Sequence, residues 1–241
     1  DVSGTAQVFL SFTDDITVRN NVFINPHSYF ALSVGWQSSG TKIYNNTFYT
    51  PRETPIHLNT IGTTTEIMNN IAIGSSFFLD LANDASLLSI SQSDYNLFLN
   101  TLVPVHKITP YQNYSLTDWR ALGFDTHSIT VAFVDDALFT SASGYPNYCQ
   151  NMELSLQSLS PAKDKGAPIY SFSIDQVGVP RPQGPAWDIG AYEYVAPYGD
   201  VSGDGSITAY DAALALQSDP RATVEKADVN GDGVVDALDA A

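Results

Sequence analysis

An asparagine turn recurs about every 25 residues in the first hundred residues of the chain. Each turn joins two short apolar stretches, and the four examples are ITVRNNVFIN at 16–25, KIYNNTFYT at 42–50, EIMNNIAIG at 66–74 and SDYNLFLN at 93–100. A third apolar stretch precedes each turn, as in YFALSVG and SFFLDLA. Three short strands per repeat, with no helical periodicity between them, indicate coils that stack through parallel strand ladders. The repeat therefore predicts a parallel β-helix.

The asparagine of each turn has two properties that suit a stacked coil. Asparagine tolerates the left-handed backbone region, and its amide can bond to the turns above and below. The residues at this position are Asn21, Asn46, Asn70 and Asn96. A propeller or a sandwich is the alternative, but propeller blades need about 40 residues and sandwich hairpins would show Asn-Gly or Asp-Gly turns. The repeat therefore favours the β-helix.

Several segments resemble the C-terminal end of secreted right-handed parallel β-helix proteins of bacteria and archaea. They are the NNTF turn, SDYNLF, LTDWRALGFDTHSIT at 116–130, LSPAKDKG at 159–166 and VPRPQGPAWDIGAYEY at 179–194. The resemblance covers about residues 8–195 and implies an all-β, right-handed parallel β-helix over residues 1–196. It implies no single chemistry, because this scaffold carries polysaccharide lyases, glycoside hydrolases, epimerases and adhesins.

The segments that follow the repeat are expected to close the end of the coil stack. Ser115 can cap a short helix in which Asp118 occupies the third position. His127 is expected to hold a loop through hydrogen bonds. The segment 188–194, DIGAYEY, is expected to add a last strand that hides unpaired N–H and C=O groups of an edge.

No set of polar side chains in the repeat forms a convincing catalytic constellation, so the catalytic residues are unknown. The candidates are Asp14, Asp15, Lys42, Arg52, Glu53, His57, Glu66, Asp80 and Asp84. Solvation of a turn or loop explains Asp14, Asp15, Glu66, Arg52 and Glu53. His57 and Asp80 lie one period apart in strands of the same ladder, and a surface pair is the favoured interpretation. If the protein is an enzyme, we expect a polysaccharide lyase or glycoside hydrolase whose active site lies outside these residues.

Six aromatic residues could stack on sugar rings or pack within the strand ladders. They are Tyr29, Trp36, Tyr44, Phe48, Tyr49 and Tyr111. Ladder packing is the favoured interpretation for this set.

Two twelve-residue stretches near the C-terminus have the spacing of a calcium loop. Such a loop supplies oxygen ligands from positions 1, 3, 5, 7, 9 and 12, with glycine at position 6. In DVSGDGSITAYD these ligands are Asp200, Ser202, Asp204, the carbonyl of Ser206, Thr208 and Asp211. In DVNGDGVVDALD they are Asp228, Asn230, Asp232, the carbonyl of Val234, Asp236 and Asp239. Oxygen ligands without His or Cys favour Ca²⁺ over zinc or copper. The sequence therefore predicts two calcium sites whose occupation is coupled to folding.

The two loops together resemble a type I dockerin, a small α-helical module with duplicated calcium loops. The resemblance rests on Asp at position 12 of each loop, on the 28-residue spacing and on the helical stretch DAALALQ, and it covers about residues 199–241. We therefore expect a second domain at 197–241. The resemblance implies cohesin binding through loop positions 10 and 11, which are Ala209, Tyr210, Ala237 and Leu238. These are not the Ser and Thr of the best-known dockerins, so another protein surface is an alternative partner.

Charge and cysteine content exclude several functions. The chain has 26 acidic residues against 10 Lys and Arg, and its net charge is −16. Such a charge repels nucleic-acid phosphates, and no apolar run approaches the roughly 20 residues of a membrane span. Neither nucleic-acid binding nor membrane insertion is therefore expected. Cys149 is the only cysteine in the sequence, which excludes an intrachain disulfide.

These features together predict an extracellular or cell-surface calcium-binding protein that binds or processes polysaccharide, with the dockerin-like module for attachment or stabilisation. The alternative is a structural or adhesive protein of a surface layer or filament without catalytic activity, in which coil ends of separate chains stack. The expected partners are a glycan, a cohesin-like or other protein, and a second copy of the chain. Acids or bases aligned on one strand face of coils upstream of this sequence would favour an enzyme.

Overall fold

The computed structural model describes residues 6–24, 29–50, 54–59, 62, 64–74, 77–99, 104–131, 138–141 and 153–217. Its N-terminal part is a β-solenoid. The strands of the coils form three parallel sheets: four successive coils contribute one strand to each sheet, and the coil that follows them contributes one strand to the first sheet and one to the third. This arrangement confirms the three-strand repeat and the mostly β fold predicted from the sequence.

Each sheet collects the strands that occupy the same place in successive coils. The first sheet contains β1 (Ala6–Leu10), β4 (Phe30–Val34), β7 (Thr54–Leu58), β10 (Leu79–Asn83) and β13 (Val105–Thr109), and β14 (Gln112–Tyr114) joins it antiparallel to β13. The second contains β2 (Thr17–Arg19), β5 (Lys42–Tyr44), β8 (Thr65–Met68) and β11 (Ile90–Asp94). The third contains β3 (Val22–Ile24), β6 (Thr47–Thr50), β9 (Ile71–Gly74), β12 (Leu97–Leu99) and β15 (Ile129–Val131).

Short elements lie beside and after the coils. A one-turn helix, α1 (Asp84–Leu88), follows β10. The helix α2 (Leu116–Ala121) follows β14. An antiparallel pair, β16 (Phe139–Ser141) and β17 (Glu153–Leu156), follows the last coil in the chain and packs against the third sheet.

A ladder of asparagine side chains holds the turn between the second and third strand of each coil. The backbone N–H of Asn46 donates to Oδ1 of Asn70 at 3.0 Å, and the N–H of Asn70 donates to Oδ1 of Asn96 at 2.9 Å. This confirms that the amides bond from turn to turn. The left-handed backbone conformation, however, belongs to the preceding residue, such as Asn45 or Asn69. In Asn45-Asn46 and Asn69-Asn70, the first asparagine therefore forms the turn, and the second bonds to the neighbouring coil.

Apolar side chains from all three sheets fill the solenoid. The rings of Phe23 and Phe48 stack with their centroids 4.7 Å apart, which matches the spacing of about 4.8 Å between neighbouring strands. Ladder packing is therefore correct for Phe48. Tyr44 and Tyr49 are buried on the other face of their strands, where Tyr44 packs with Ile169 and Tyr49 packs with Phe139. The other three are exposed, namely Tyr29, Trp36 and Tyr111.

Helix α2 begins with the predicted cap. The Ser115 hydroxyl accepts from the backbone N–H of Asp118 at 3.1 Å, and the Asp118 carboxylate accepts from the backbone N–H of Ser115 at 3.3 Å. Trp119 in the middle of the helix is fully buried and stacks on Phe124. The helix therefore contributes a large apolar side chain to the core.

Two acidic residues organise the segment after α2. Asp125 is buried and accepts from Asn96 Nδ2 at 2.9 Å, so it ends the asparagine ladder. Burial raises the pKa of Asp125 above its ordinary value, although its hydrogen bonds oppose the shift. Asp94 accepts from the backbone N–H of His127 at 2.8 Å and lies 2.7 Å from its Nδ1. This confirms that His127 holds its loop through hydrogen bonds.

Residues 188–194 contain no strand, so the prediction of a last strand is wrong. The segment is bound instead by groups of the asparagine turns. Asn45 Nδ2 donates to the carbonyl of Asp188 at 3.1 Å, and the N–H of Gly190 donates to the carbonyl of Asn69 at 2.7 Å. Since these partners belong to turns of different coils, the segment crosses the coils and cannot form a regular ladder with one edge strand.

Candidate calcium-binding site

The loop from Asp200 to Asp211 is shaped by the aspartates at its two ends. Asp200 is fully buried, and its carboxylate accepts from the backbone N–H groups of Gly203 (2.7 Å), Asp204 (3.1 Å) and Gly205 (2.8 Å). These bonds draw the chain into a tight turn in which φ is +75° at Gly203 and +89° at Gly205. Residues with a Cβ rarely adopt such angles. The glycine predicted at position 6 is therefore required by the backbone itself.

Asp211 closes the loop from the other end. One carboxylate oxygen accepts from the backbone N–H of Ser202 at 2.9 Å, and the other accepts from the N–H and the hydroxyl of Thr208 at 2.7 and 3.0 Å. These bonds, above all the one from Ser202, hold the pKa of Asp211 well below its ordinary value. The helix α3 (Ala209–Gln217) begins directly after Thr208. Asp211 thus joins the loop to the helix.

The loop packs against residues 158–194, the closing segment of the solenoid. A Cβ atom at Gly205 would lie 2.0 Å from Oγ of Ser158, so no side chain fits there. Lys163 Nζ lies 3.5 Å from the carbonyl oxygen of Gly203 and 4.4 Å from the centre of the Tyr194 ring. The first loop and the end of the solenoid therefore form one continuous contact.

The donor set of this loop fits calcium. Every predicted ligand is a carboxylate, hydroxyl or carbonyl oxygen, which is the chemistry that Ca²⁺ prefers. In the described conformation the oxygens of Asp200 and Asp211 accept from backbone N–H groups, and Oδ1 of Asp204 accepts from the N–H of Ser206 at 2.8 Å. Accordingly, no three Asp, Glu, His or Cys side chains converge on a metal position within the described residues. The loop can bind a divalent cation if these carboxylates turn towards it.

The second predicted loop lies outside the described residues. Its predicted ligands are Asp228, Asn230, Asp232, Val234, Asp236 and Asp239. Positions 10 and 11 of that loop, Ala237 and Leu238, also lie there. In the first loop these positions are Ala209 and Tyr210, and they begin α3. Tyr210 is exposed, so it is accessible to a protein partner.

Residues 198–241 match the family model of the dockerin type I domain, and the match spans both loops. The C-terminal part of the chain is a type I dockerin domain. Type I dockerins typically bind calcium, bind cohesin partners and occur in extracellular cellulosome proteins. No curated protein and no solved structure matches the chain. Within the described residues, no helix is long and apolar enough to cross a membrane.

Outside the dockerin, the structure brings together two of the candidate residues and adds a third. Asp80 lies 2.7 Å from Nδ1 of His57 and 2.6 Å from Nδ1 of His106, and all three are in register on neighbouring strands of the first sheet. The rings of Phe30 and Phe77 stack on His57 and His106, respectively. Sequence reasoning missed His106, although counting one more period from Asp80 would have found it. The group is a polar ladder across three coils.

The other candidates do not form one site. Asp14 bonds to Ser39, Asp15 to Lys42, Asp84 to Lys107, and Glu66 accepts from the Tyr44 hydroxyl. Glu66 lies inside β8, so the prediction that it only solvates a turn is wrong. Arg52 and Glu53 lie outside the described residues.

Proposed function

We propose that the protein is an extracellular component of a cohesin-based assembly, in which the dockerin attaches the β-solenoid and the solenoid associates with polysaccharide. The observation that carries the proposal is the dockerin match over residues 198–241, together with the buried Asp200 and Asp211 that shape its first loop. The dockerin supports attachment to a cohesin. The solenoid supports a polysaccharide role because its sheets display side chains along an extended surface.

We propose that the dockerin binds two calcium ions, one in each loop. The first set of ligands is Asp200, Ser202, Asp204, Ser206, Thr208 and Asp211. The second is Asp228, Asn230, Asp232, Val234, Asp236 and Asp239. Calcium supplies a positive centre when it is bound, and it offsets the repulsion among the carboxylates of each loop. Folding of the dockerin is therefore expected to depend on calcium.

Attachment is tested with the full chain and a panel of cohesins. We expect calcium to induce a folding change, calorimetry to give two bound ions, and at least one cohesin to bind only with calcium. Asp200→Ala should lower the number of ions to one and weaken cohesin binding. Ser39→Ala, which changes a solenoid residue, is the matched control. Calcium-independent folding, or no binding to any cohesin, would contradict the attachment role.

A structural role in a surface layer or filament is the second candidate function. It is favoured by exposed aromatic residues on and beside β1 and β4, the first two strands of the first sheet. These residues are Phe9, Phe12, Tyr29 and Trp36. Association of two chains through this surface would cover them. Light scattering over a wide concentration range tests this role, and a monomer at every concentration would remove it.

A further inference from the structure

A groove lies between the outward face of the second sheet and the segment 168–171. Its volume is about 580 Å³, within the range of about 300–1,000 Å³ that is usual for ligand sites. Lys42, Glu66 and Gln92 line it on the sheet side, and Tyr170, which is 96% exposed, lines it on the other. Neither the calcium loop nor the helix α3 contributes to it. The attachment role therefore leaves this groove unexplained.

The polar residues of the groove repeat along the solenoid axis. Lys42 pairs in register with Glu66, and Glu66 pairs in register with Gln92. These neighbouring strands are about 4.8 Å apart. The spacing is close to the advance of an extended sugar chain per residue. A linear glycan could therefore meet one polar side chain per sugar.

The wall opposite the sheet is held in place by packing and hydrogen bonds. Ile169 is buried against Tyr44 and Met68 of the second sheet. The Asn69 amide clamps the start of the segment, because its Oδ1 accepts from the N–H of Ala167 at 2.9 Å and its Nδ2 donates to the carbonyl of Ala167 at 2.7 Å. The backbone that carries Tyr170 is therefore fixed before a ligand binds, which lowers the entropic cost of binding.

The charges of the groove favour a neutral ligand. The Lys42 ammonium bonds to the Asp15 carboxylate, and this bond raises the pKa of Lys42. Glu66 accepts from the Tyr44 hydroxyl, and burial followed by this bond raises the pKa of Tyr44. Tyr44 therefore stays protonated and cannot act as a base. An anionic sugar would meet two carboxylates and one lysine that is already paired, so like charges would repel it.

The backbone of the groove floor is not available to a peptide. Strands β5 and β8 are interior strands of the second sheet, and each pairs with a neighbour on both sides. Recognition of a peptide by strand addition needs a free sheet edge. A ligand must therefore bind through side chains. Carboxylate, ammonium and amide groups can accept from or donate to hydroxyl groups, and an exposed tyrosine offers an aromatic face.

We propose that this groove binds a segment of a neutral oligosaccharide, with Tyr170 stacking on a sugar ring and Lys42, Glu66 and Gln92 bonding to sugar hydroxyls. The proposal rests on the proposed association of the solenoid with polysaccharide. It names the residues and the ligand class for that association.

The test is calorimetry of the calcium-loaded full chain with hexasaccharides of β-1,4-linked glucose, xylose and mannose, and with oligogalacturonate. We expect at least one neutral hexasaccharide to bind. Tyr170→Ala and Glu66→Gln should each weaken binding by about tenfold or more. Tyr111→Ala is the matched control, because Tyr111 is an exposed tyrosine in the turn between β13 and β14, outside the groove, and it should leave the affinity within about twofold. Thermal melts establish that each variant is folded.

The possible failures point to different errors. If Tyr170→Ala and Tyr111→Ala have equal affinity for a hexasaccharide that binds, the groove is not the site, although association with polysaccharide stands. If only oligogalacturonate binds, the neutral ligand class is wrong. If no saccharide binds, both this proposal and the polysaccharide role fail, whereas cohesin attachment is unaffected.

Discussion

At the scale of single residues, the closing segment contains a buried ion pair with an unusual carboxyl group. Arg181 Nη1 lies 2.7 Å from Oε2 of Glu193, and both side chains are almost completely buried. Glu193 also accepts from the backbone N–H of Gln183 at 2.9 Å. Burial, with a further contribution from the charge of Asp188, raises the pKa of Glu193 to about 7 from 4.5. The folded protein therefore binds a proton that the unfolded chain releases at lower pH.

This shift predicts how stability depends on pH. Because the folded pKa is above the unfolded one, the contribution of Glu193 to the free energy of unfolding should fall as pH rises from about 4.5 to about 7. Glu193→Gln should flatten the slope in this window. Urea unfolding at closely spaced pH values measures it. An unchanged slope in the variant would show that another group titrates there.

At the scale of elements, neighbouring strands are joined by side chains as well as by backbone bonds. The polar ladder of His57, Asp80 and His106 connects β7, β10 and β13 on the outward face of the first sheet. The Asp80 side chain is only 6% exposed. A carboxylate so removed from water needs hydrogen-bond donors, and the two imidazoles supply them.

Removal of this carboxylate should therefore be costly. Asp80→Ala leaves both histidine Nδ1 atoms without a partner among the described residues, and we expect a loss of about 1–3 kcal/mol in the free energy of unfolding. Asp14→Ala is the control, because Asp14 is exposed, and it should change stability by less than about 0.5 kcal/mol. Urea unfolding compares the two. Equal effects of the two substitutions would mean that the ladder does not stabilise the sheet.

At the scale of the whole molecule, the dockerin loop and the solenoid share a contact at Gly205. Gly203 and Gly205 both have positive φ, so alanine at either position strains the backbone. Only at Gly205 would the added Cβ also meet another residue, Ser158. Comparing alanine substitutions at Gly203 and Gly205 therefore distinguishes the effect of backbone strain within the loop from the effect of the contact with the solenoid.

Gly205→Ala should weaken calcium binding by the first loop more than Gly203→Ala does. We expect Ser158→Gly to restore part of the loss in Gly205→Ala, since it removes the clashing side chain, and to have no such effect on Gly203→Ala. Calcium calorimetry on the full chain measures both comparisons. If the two alanine variants behave alike and Ser158→Gly restores neither, the contact does not support the loop.

The sequence by itself determined the features that repeat or that follow a fixed local spacing. The turns at Asn46 and Asn70 recur with the coil, so their strands, their sheets and their amide ladder could be predicted. The need for glycine at position 205 of the loop between Asp200 and Asp211 could be predicted for the same reason. In each case the interactions that fix the structure join residues that are close in the chain or one coil apart.

Only the tertiary structure decided the contacts between distant segments. No local pattern predicts that Asn69 clamps Ala167, that residues 188–194 cross the turns without forming a strand, or that Gly205 meets Ser158. The groove beside Glu66 exists only because the closing segment folds back over the second sheet. Such contacts depend on how the non-repeating segment satisfies its backbone hydrogen bonds against a finished solenoid. The path of this segment depends on the shape of the solenoid surface that it covers. The spacing of residues within the segment does not predict that path.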